Sequence, residues 1–329
     1  MDLWNIVVNV VLLALFLAVL DRSSYAVITG AYDISKLTKL GYSSIGFIYV
    51  AFLTSLPEAT VSLFAIPKGA VGIAVGNVFG SNIANICLIL GVPIVYNCAL
   101  KSTSPKCSFD LGKQEFASLF FGLFISSVLS LFLLRSTRYV PFIGVVLIGI
   151  FIVYNYSLSK SSTNVGMSNI TQRGTFKRAF GKGMVYLLIG IIGVLISGYV
   201  IVHSALNLAT AFSLSGTFIG ATVIAVGTSL PELSISFKSI QTNRMDFALA
   251  TAVGSSFANL TIIMGSVFVF STIAVRVEAY FDLVFFSLIS NFFLWYFLTR
   301  GKLALKEGLI LIFIYIIFLI EFIGIYTFF

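Results

Sequence analysis

Two glutamates lie in otherwise apolar stretches of the sequence and end the same short motif. The pentapeptide TSLPE occurs at 54–58 and again at 228–232, so Glu58 and Glu232 are separated by 174 residues. A carboxylate in hydrocarbon costs at least about 2.5 kcal/mol, and an acidic residue retained there indicates a functional site. The repeated motif therefore predicts a pair of functional carboxylates.

The neighbours of these glutamates supply further oxygen atoms. A second motif, Gly-Ser followed three residues later by Ala-Asn, occurs at 80–85 and at 254–259. The two motifs give ten candidate ligands: Thr54, Ser55, Glu58, Ser81, Asn85, Thr228, Ser229, Glu232, Ser255 and Asn259. All are hard oxygen donors, which calcium binds in sets of 6–8, whereas zinc or copper would favour nitrogen or sulfur. Two carboxylates match the charge of one calcium ion, and sodium could use the same oxygens.

The elements that must position these residues are membrane helices. The chain is 59% hydrophobic and only 10% charged, whereas soluble domains carry about 25% charged residues. Apolar runs long enough to cross a bilayer recur along the chain and predict an all-α membrane protein. About ten transmembrane helices are expected, near 3–20, 42–65, 70–96, 115–134, 139–158, 183–203, 214–237, 246–272, 279–299 and 307–328. The first of these lacks the basic start and cleavage site of a signal peptide and is expected to be permanent.

The order of the spans predicts two inverted five-helix repeats. A polar stretch at 159–182 has the composition of a cytoplasmic linker and separates residues 1–158 from residues 183–329. Because five is an odd number, the second repeat must enter the membrane from the opposite side. Odd-numbered connections hold 16 of the 20 Lys and Arg residues, which places them in the cytoplasm and both termini outside. The net charge of +8 is thus explained by orientation, and no nucleic-acid partner is implied.

Two further features concern the backbone. Pro57 and Pro231 each remove a helical hydrogen bond and predict a broken helix at the midplane of each repeat, where freed carbonyls can line a cavity. Glycines at 72, 76 and 80 recur every four residues and predict close approach of another helix backbone.

The three cysteines have neither disulfide-framework nor metal-ligand spacing and are interpreted as ordinary small residues.

At these motifs the chain resembles the calcium/cation antiporter superfamily, and within it the prokaryotic sodium/calcium exchangers. The matching stretches are TSLPEATVSLFA, GNVFGSNIANICLILG, GTSLPELSISF and GSSFANLTIIMG, which look like the two alpha repeats of that family. The resemblance implies exchange of calcium for sodium, with the ten residues named above binding the ions. The chain departs from the family pattern at Leu53, which stands where a glycine is usual, at Thr251 and Ser256, where the first repeat has asparagines, and at Asn259, where some members have aspartate.

Three alternatives remain open. Proton instead of sodium coupling is one, since a buried carboxylate can exchange calcium for protons; a channel using the same oxygens is another. A membrane enzyme is the third and is disfavoured because the single histidine, His203, has no catalytic motif around it. The expected protein is therefore a monomeric, multi-pass antiporter of the cell membrane, with inorganic cations as substrates, contact with the lipid bilayer, no enzymatic activity and no cofactor beyond the transported calcium and sodium.

Overall fold

The computed structural model of the protein describes residues 3–37, 53–100, 121–129, 140–161, 173–241, 245–271, 280–301 and 303–327. These residues form helices and short connections, without any strand. In chain order the helices are α1 Leu3–Leu37, α2 Leu56–Ala65, α3 Val71–Ala84, α4 Gly91–Leu100, α5 121–129, α6 Val140–Ser161, α7 Arg173–Ala211, α8 Gly216–Ile219, α9 Ala225–Thr228, α10 Leu230–Gln241, α11 Met245–Ala258, α12 Met264–Phe270, α13 Phe281–Thr299 and α14 Leu305–Thr327. Three π-helical segments join consecutive helices, at Asn85–Ile89, Gly220–Ile224 and Asn259–Ile263.

Several of these helices are long and apolar enough to cross a membrane, as predicted. Within the described ranges six qualify: Leu3–Val27, Val71–Ala99, Phe180–Ala211, Phe247–Phe270, Phe281–Thr299 and Leu305–Gly324. A bent pair, Gly216–Thr228 with Leu230–Gln241, provides a possible seventh, and Pro141–Tyr156 is a shorter apolar helix. The predicted spans at 42–65 and 115–134 lie partly outside the described residues, so the count of ten stays a prediction. Large apolar side chains such as Trp4, Ile189 and Ile320 are exposed on the helix surfaces, where lipid would cover them.

The predicted ends of two spans are wrong. Helix α1 continues to Leu37 rather than ending near residue 20, so Asp21 and Arg22 are part of it. Helix α7 covers Arg173–Ala211 rather than 183–203, and its first ten residues come from the stretch predicted to be a linker. Hydropathy records only the apolar part of a helix, whereas the helical backbone continues into polar sequence. The domain limits themselves stay a prediction.

Helices α1 and α7 lie against each other along much of their length. Their contact uses glycines, because a Cβ added at Gly30 would lie 2.6 Å from the carbonyl oxygen of Gly183. A Cβ at Gly190 would lie 2.7 Å from the backbone nitrogen of Val27. The two longest described helices therefore meet backbone to backbone, which requires residues without side chains.

Close packing at the glycine stripe of α3 is confirmed. A Cβ at Gly76 would lie 2.5 Å from the carbonyl oxygen of Thr217, and one at Gly80 would collide with the backbone of Ala221. The partner segment also has a glycine at this contact, because a Cβ at Gly220 would lie 2.6 Å from the carbonyl oxygen of Ile73. Helix α3 of the first half is thereby held directly against the segment that leads into the second TSLPE motif.

The helix breaks lie two residues before the prolines, at the serine of each motif. Ser55 has φ −82° and ψ 3°, and Ser229 has φ −90° and ψ 10°, which are nearly the same backbone conformation. The helices on either side of Ser229 are bent by 44°. Proline falls in the first turn of the helix that follows, where its missing N–H is tolerated. Both motifs thus begin a new helix, and each glutamate lies in its first turn.

The interpretation of the cysteines needs one correction. Cys98 is disulfide-bonded, which the spacing of the cysteines did not indicate. Cys87 is a free and buried thiol that donates a hydrogen bond to Ser290 Oγ at 3.1 Å. Cys107 lies outside the described residues.

Candidate functional site

All ten residues predicted to bind ions are buried, with at most 2% of each exposed. They come from the breaks before α2 and α10, from the first turns of those helices, and from the ends of α3 and α11 together with the π-helical segments that follow. Hydrogen bonds between the halves join several of them, as described below. The site is therefore built at the contact between the two repeated motifs.

Each glutamate is held by hydroxyl groups, including at least one from the opposite half. Ser229 Oγ donates to Glu58 Oε1 at 2.9 Å, and Thr228 also lies beside the Glu58 side chain. Thr54 in turn hydrogen-bonds to the Glu232 side chain. The two carboxylates lie near enough to repel each other electrostatically. Two close acidic groups with neutral donors around them form a site that attracts a cation.

The hydroxyl of Ser255 connects three groups of the site. Its Oγ donates to Glu232 Oε1 at 3.2 Å and lies 2.9 Å from Ser55 Oγ, with which it shares a hydrogen bond. It also accepts a hydrogen bond from Asn85 Nδ2 at 3.1 Å. The equivalent hydroxyl of the first half, Ser81 Oγ, makes one long bond of 3.5 Å to the carbonyl oxygen of Ala225. The two Gly-Ser motifs therefore have different roles.

Both asparagines of the second motif begin a π-helical segment. Asn85 opens Asn85–Ile89, and Asn259 opens Asn259–Ile263. Such segments widen one helical turn, change the direction of the side chains at that turn, and are frequent at functional sites. Because both occur at equivalent positions, the two halves share this local distortion as well as the helix break. The sequence analysis did not predict the π-helical segments.

Four buried oxygen atoms of the site have no hydrogen-bond partner among the described residues. They are Glu58 Oε2, Glu232 Oε2, Asn85 Oδ1 and Asn259 Oδ1. They form two pairs of equivalent atoms, one carboxylate oxygen and one amide oxygen from each half. Burying an acceptor without a partner is costly, so such atoms call for an explanation. A cation bound between them supplies one.

Two further asparagines, which sequence reasoning did not place at the site, organise its surroundings. Asn77 Nδ2 donates to the main-chain carbonyl of Glu58 and to Ser62 Oγ, each at 3.2 Å, and its Oδ1 accepts from Thr228 Oγ1 at 3.2 Å. Asn82 Oδ1 accepts from Asn259 Nδ2 at 3.1 Å. Both are positions at which the second repeat carries a different residue. The difference between the repeats at these two positions was the sequence signal that could have pointed to them.

The sequence of the chain matches one family along most of its length. The family described as sodium/calcium exchanger protein matches residues 8–160 and 182–324. The sodium/calcium exchanger MaX1 of Methanosarcina acetivorans is 30% identical over 96% of this chain and 98% of its own length. A more distant relative, the Ca²⁺/H⁺ antiporter ChaA of Bacillus subtilis, is 24% identical over 64% of this chain and 63% of its own length.

Comparison of the fold with solved structures points to the same family. The sodium-calcium exchanger NCX_Mj, in a structure soaked with 10 mM Na⁺ and no Ca²⁺, superposes with a TM-score of 0.67 and 26% identity, covering 95% of this chain and 98% of that one. Other structures of NCX_Mj were soaked with Ca²⁺ or Sr²⁺. The chain therefore belongs to the sodium/calcium exchanger family, a family of membrane transporters.

Proposed function

We propose that the protein is a secondary active antiporter that exchanges calcium for sodium across the membrane by alternating access. The observation that carries this proposal is the set of four unpartnered buried oxygens, Glu58 Oε2, Glu232 Oε2, Asn85 Oδ1 and Asn259 Oδ1. Each half contributes the same two atom types, so a cation between them would contact both halves at once. Movement of one half against the other would then change access to the ion.

The charges of the site favour a divalent ion. Two ionised carboxylates buried without a compensating positive charge carry a large desolvation cost, and their direct partners here are neutral hydroxyls. One calcium ion would neutralise both groups. Sodium neutralises only one charge per ion, so more than one sodium ion is needed to replace each calcium ion at equal charge.

The number of oxygens also suits calcium. The carboxylates and amides supply four acceptor atoms that have no other partner in the described part of the chain, and calcium takes 6–8 ligands. Hydroxyl oxygens keep lone pairs even while they donate a hydrogen bond, so the threonines and serines of the site can complete the shell. The proposed ligands are Thr54, Ser55, Glu58, Ser81, Asn85, Thr228, Ser229, Glu232, Ser255 and Asn259.

The proposed topology follows from the charge distribution. A monomer with two inverted five-helix repeats, both termini outside, accounts for the excess of Lys and Arg in odd-numbered connections. A cysteine introduced at Ser162, in a variant without native cysteines, should then react with an impermeant thiol reagent only from the cytoplasmic side. Labelling from outside intact cells would reverse the proposed orientation.

Proton coupling is the second candidate, because Oε2 of each glutamate is free to take a proton and one relative is a Ca²⁺/H⁺ antiporter. Measurements of calcium uptake in proteoliposomes distinguish sodium coupling from proton coupling. Sodium-loaded vesicles diluted into sodium-free medium with calcium should accumulate calcium, and a protonophore should leave the initial rate almost unchanged. Uptake that follows an imposed pH gradient and ignores sodium would establish proton coupling instead. Vesicles that contain Glu58→Gln provide the background rate.

A further inference from the structure

The amide groups of Asn85 and Asn259 occupy equivalent positions but are anchored by different residues. Asn85 Nδ2 donates to Ser255 Oγ at 3.1 Å, a residue already counted among the candidate ligands. Asn259 Nδ2 donates to Asn82 Oδ1, also at 3.1 Å. Asn82 is not one of the candidate ligands, and its own Nδ2 has no partner among the described residues. Each amide is thus anchored by the opposite half, Asn85 by a candidate ligand and Asn259 by a residue that is not a candidate ligand.

The two amides have different anchors because the repeats carry different residues at one position. The position equivalent to Asn82 is Ser256, whose Oγ has no hydrogen-bond partner within the described part of the chain. A serine hydroxyl extends less far from the backbone than an asparagine amide. Asn85 accordingly bonds to Ser255 instead of Ser256. The sequence difference between Asn82 and Ser256 therefore changes how the opposite amide is held.

The direction of an anchored amide decides which of its atoms can face a cation. A primary amide has an acceptor oxygen on one side and a donor NH₂ on the other. When Asn82 accepts from Nδ2, the Oδ1 of Asn259 points away from the anchor and is left without a partner in its buried position. Without the anchor, the amide could rotate and exchange the positions of its oxygen and its NH₂, and an NH₂ donor cannot coordinate a cation.

We propose that Asn82 is a positioning residue that holds the carbonyl oxygen of Asn259 towards the transported cation, a task that Ser256 does not perform for Asn85. This inference rests on the proposed function, because it concerns the same site. It assigns to Asn82 an effect on cation binding that passes through Asn259 and requires no contact between Asn82 and the ion.

The test compares two equivalent positions in purified protein reconstituted into vesicles. Asn82→Leu keeps the branched shape of the side chain but removes the acceptor, and Ser256→Ala removes a hydroxyl that has no partner among the described residues. The half-saturating calcium concentration should rise about tenfold in Asn82→Leu, as for a lost buried hydrogen bond. The maximal rate should change much less, and Ser256→Ala should behave like the unaltered protein. If Asn82→Leu does not fold, Asn82→Ser carries the residue that the second half tolerates at this position and should give the same shift.

A double variant separates positioning from a general structural role. If Asn82 acts through Asn259, then Asn82→Leu should add nothing further to the defect of Asn259→Ala, because the group that it orients is already gone. Additive defects would overturn the proposal, and so would an unchanged half-saturating concentration in Asn82→Leu. Both results require that the unaltered protein transports calcium. Absence of calcium transport in that protein would instead contradict the proposed function itself.

Discussion

The two halves of the protein share their backbone geometry at the site but differ in the polar contacts around it. Ser55 and Ser229 have nearly equal backbone angles, and Asn85 and Asn259 both begin π-helical segments. The residues that cross-link the neighbouring helices are not repeated: Asn77 corresponds to Thr251. The two halves therefore share the candidate ligands but differ in a residue that links the neighbouring helices.

The consequence is visible in the hydrogen bonds of these two residues. Asn77 connects α3 to the main chain at Glu58, to Ser62 and to Thr228 of the other half. Among the described residues, Thr251 Oγ1 bonds to the carbonyl of Phe247 within its own helix. Ser236 Oγ, the equivalent of Ser62, has no partner among the described residues. The first half thus ties α3 to the main chain at Glu58 through Asn77, whereas the second half ties α11 to the carboxylate of Glu232 through Ser255.

The largest expected effect tests whether this difference extends to the carboxylates. We expect Glu58→Gln and Glu232→Gln each to abolish calcium transport, because either change leaves one carboxylate to neutralise a divalent ion in a dry site. The measurement is calcium uptake by sodium-loaded proteoliposomes. Both variants should remain folded, since an amide has less to desolvate than a carboxylate.

A folded variant that still exchanges calcium near the normal rate would exclude its glutamate from the site. If only Glu58→Gln is inactive, the asymmetry of the scaffold applies to the ligands too. Elution from size-exclusion chromatography in detergent serves as the control for folding.

A smaller effect is expected at the scaffold itself. Asn77→Thr introduces the residue of the second half and removes the two hydrogen bonds donated by Nδ2, leaving the carbonyl of Glu58 and Ser62 Oγ without this donor. Each lost bond to a buried group costs about 1–3 kcal/mol, so the midpoint of thermal unfolding should fall clearly. Thr251→Ala is the matched control and should change the midpoint little, because it removes a bond within one helix. Equal shifts in the two variants would show that the cross-link contributes no stability.

Several features of the site could be predicted from the sequence because each depends on a local pattern. The TSLPE and Gly-Ser motifs predicted the candidate ligands, because acidic and amide residues are rare enough in apolar sequence to indicate a function. The structure buries all ten of these residues. Proline identified the helix breaks to within two residues. Glycine spacing predicted the close approach of another helix backbone to α3, and the structure shows that this backbone is the segment around Gly220. These signals are local, since each depends on one residue type at a known spacing.

The features that the sequence did not predict depend mainly on contacts between residues that are distant in the sequence. Asn77 and Asn82 are chemically ordinary amides, and only the positions of Thr228 and Asn259 in space give them roles. The π-helical segment at Asn85 has no equivalent signal, because its sequence NICLI fits an ordinary helix. The ends of α1 and α7 were misplaced because helix continues beyond the apolar residues that hydropathy detects.

The smallest expected effect compares the serines of the two Gly-Ser motifs. Ser255 Oγ joins Glu232, Ser55 and Asn85, whereas Ser81 Oγ makes one bond of 3.5 Å. Each serine also offers one proposed ligand oxygen, so replacement by alanine should weaken calcium binding in both. The loss should be greater at Ser255, because its removal also frees Asn85 and one carboxylate oxygen. A difference of about 1 kcal/mol between the two variants corresponds to about fivefold in the half-saturating calcium concentration. Calcium titration of exchange in vesicles measures it, and a larger defect in Ser81→Ala than in Ser255→Ala would show that the hydrogen bonds of Ser255 do not organise the site.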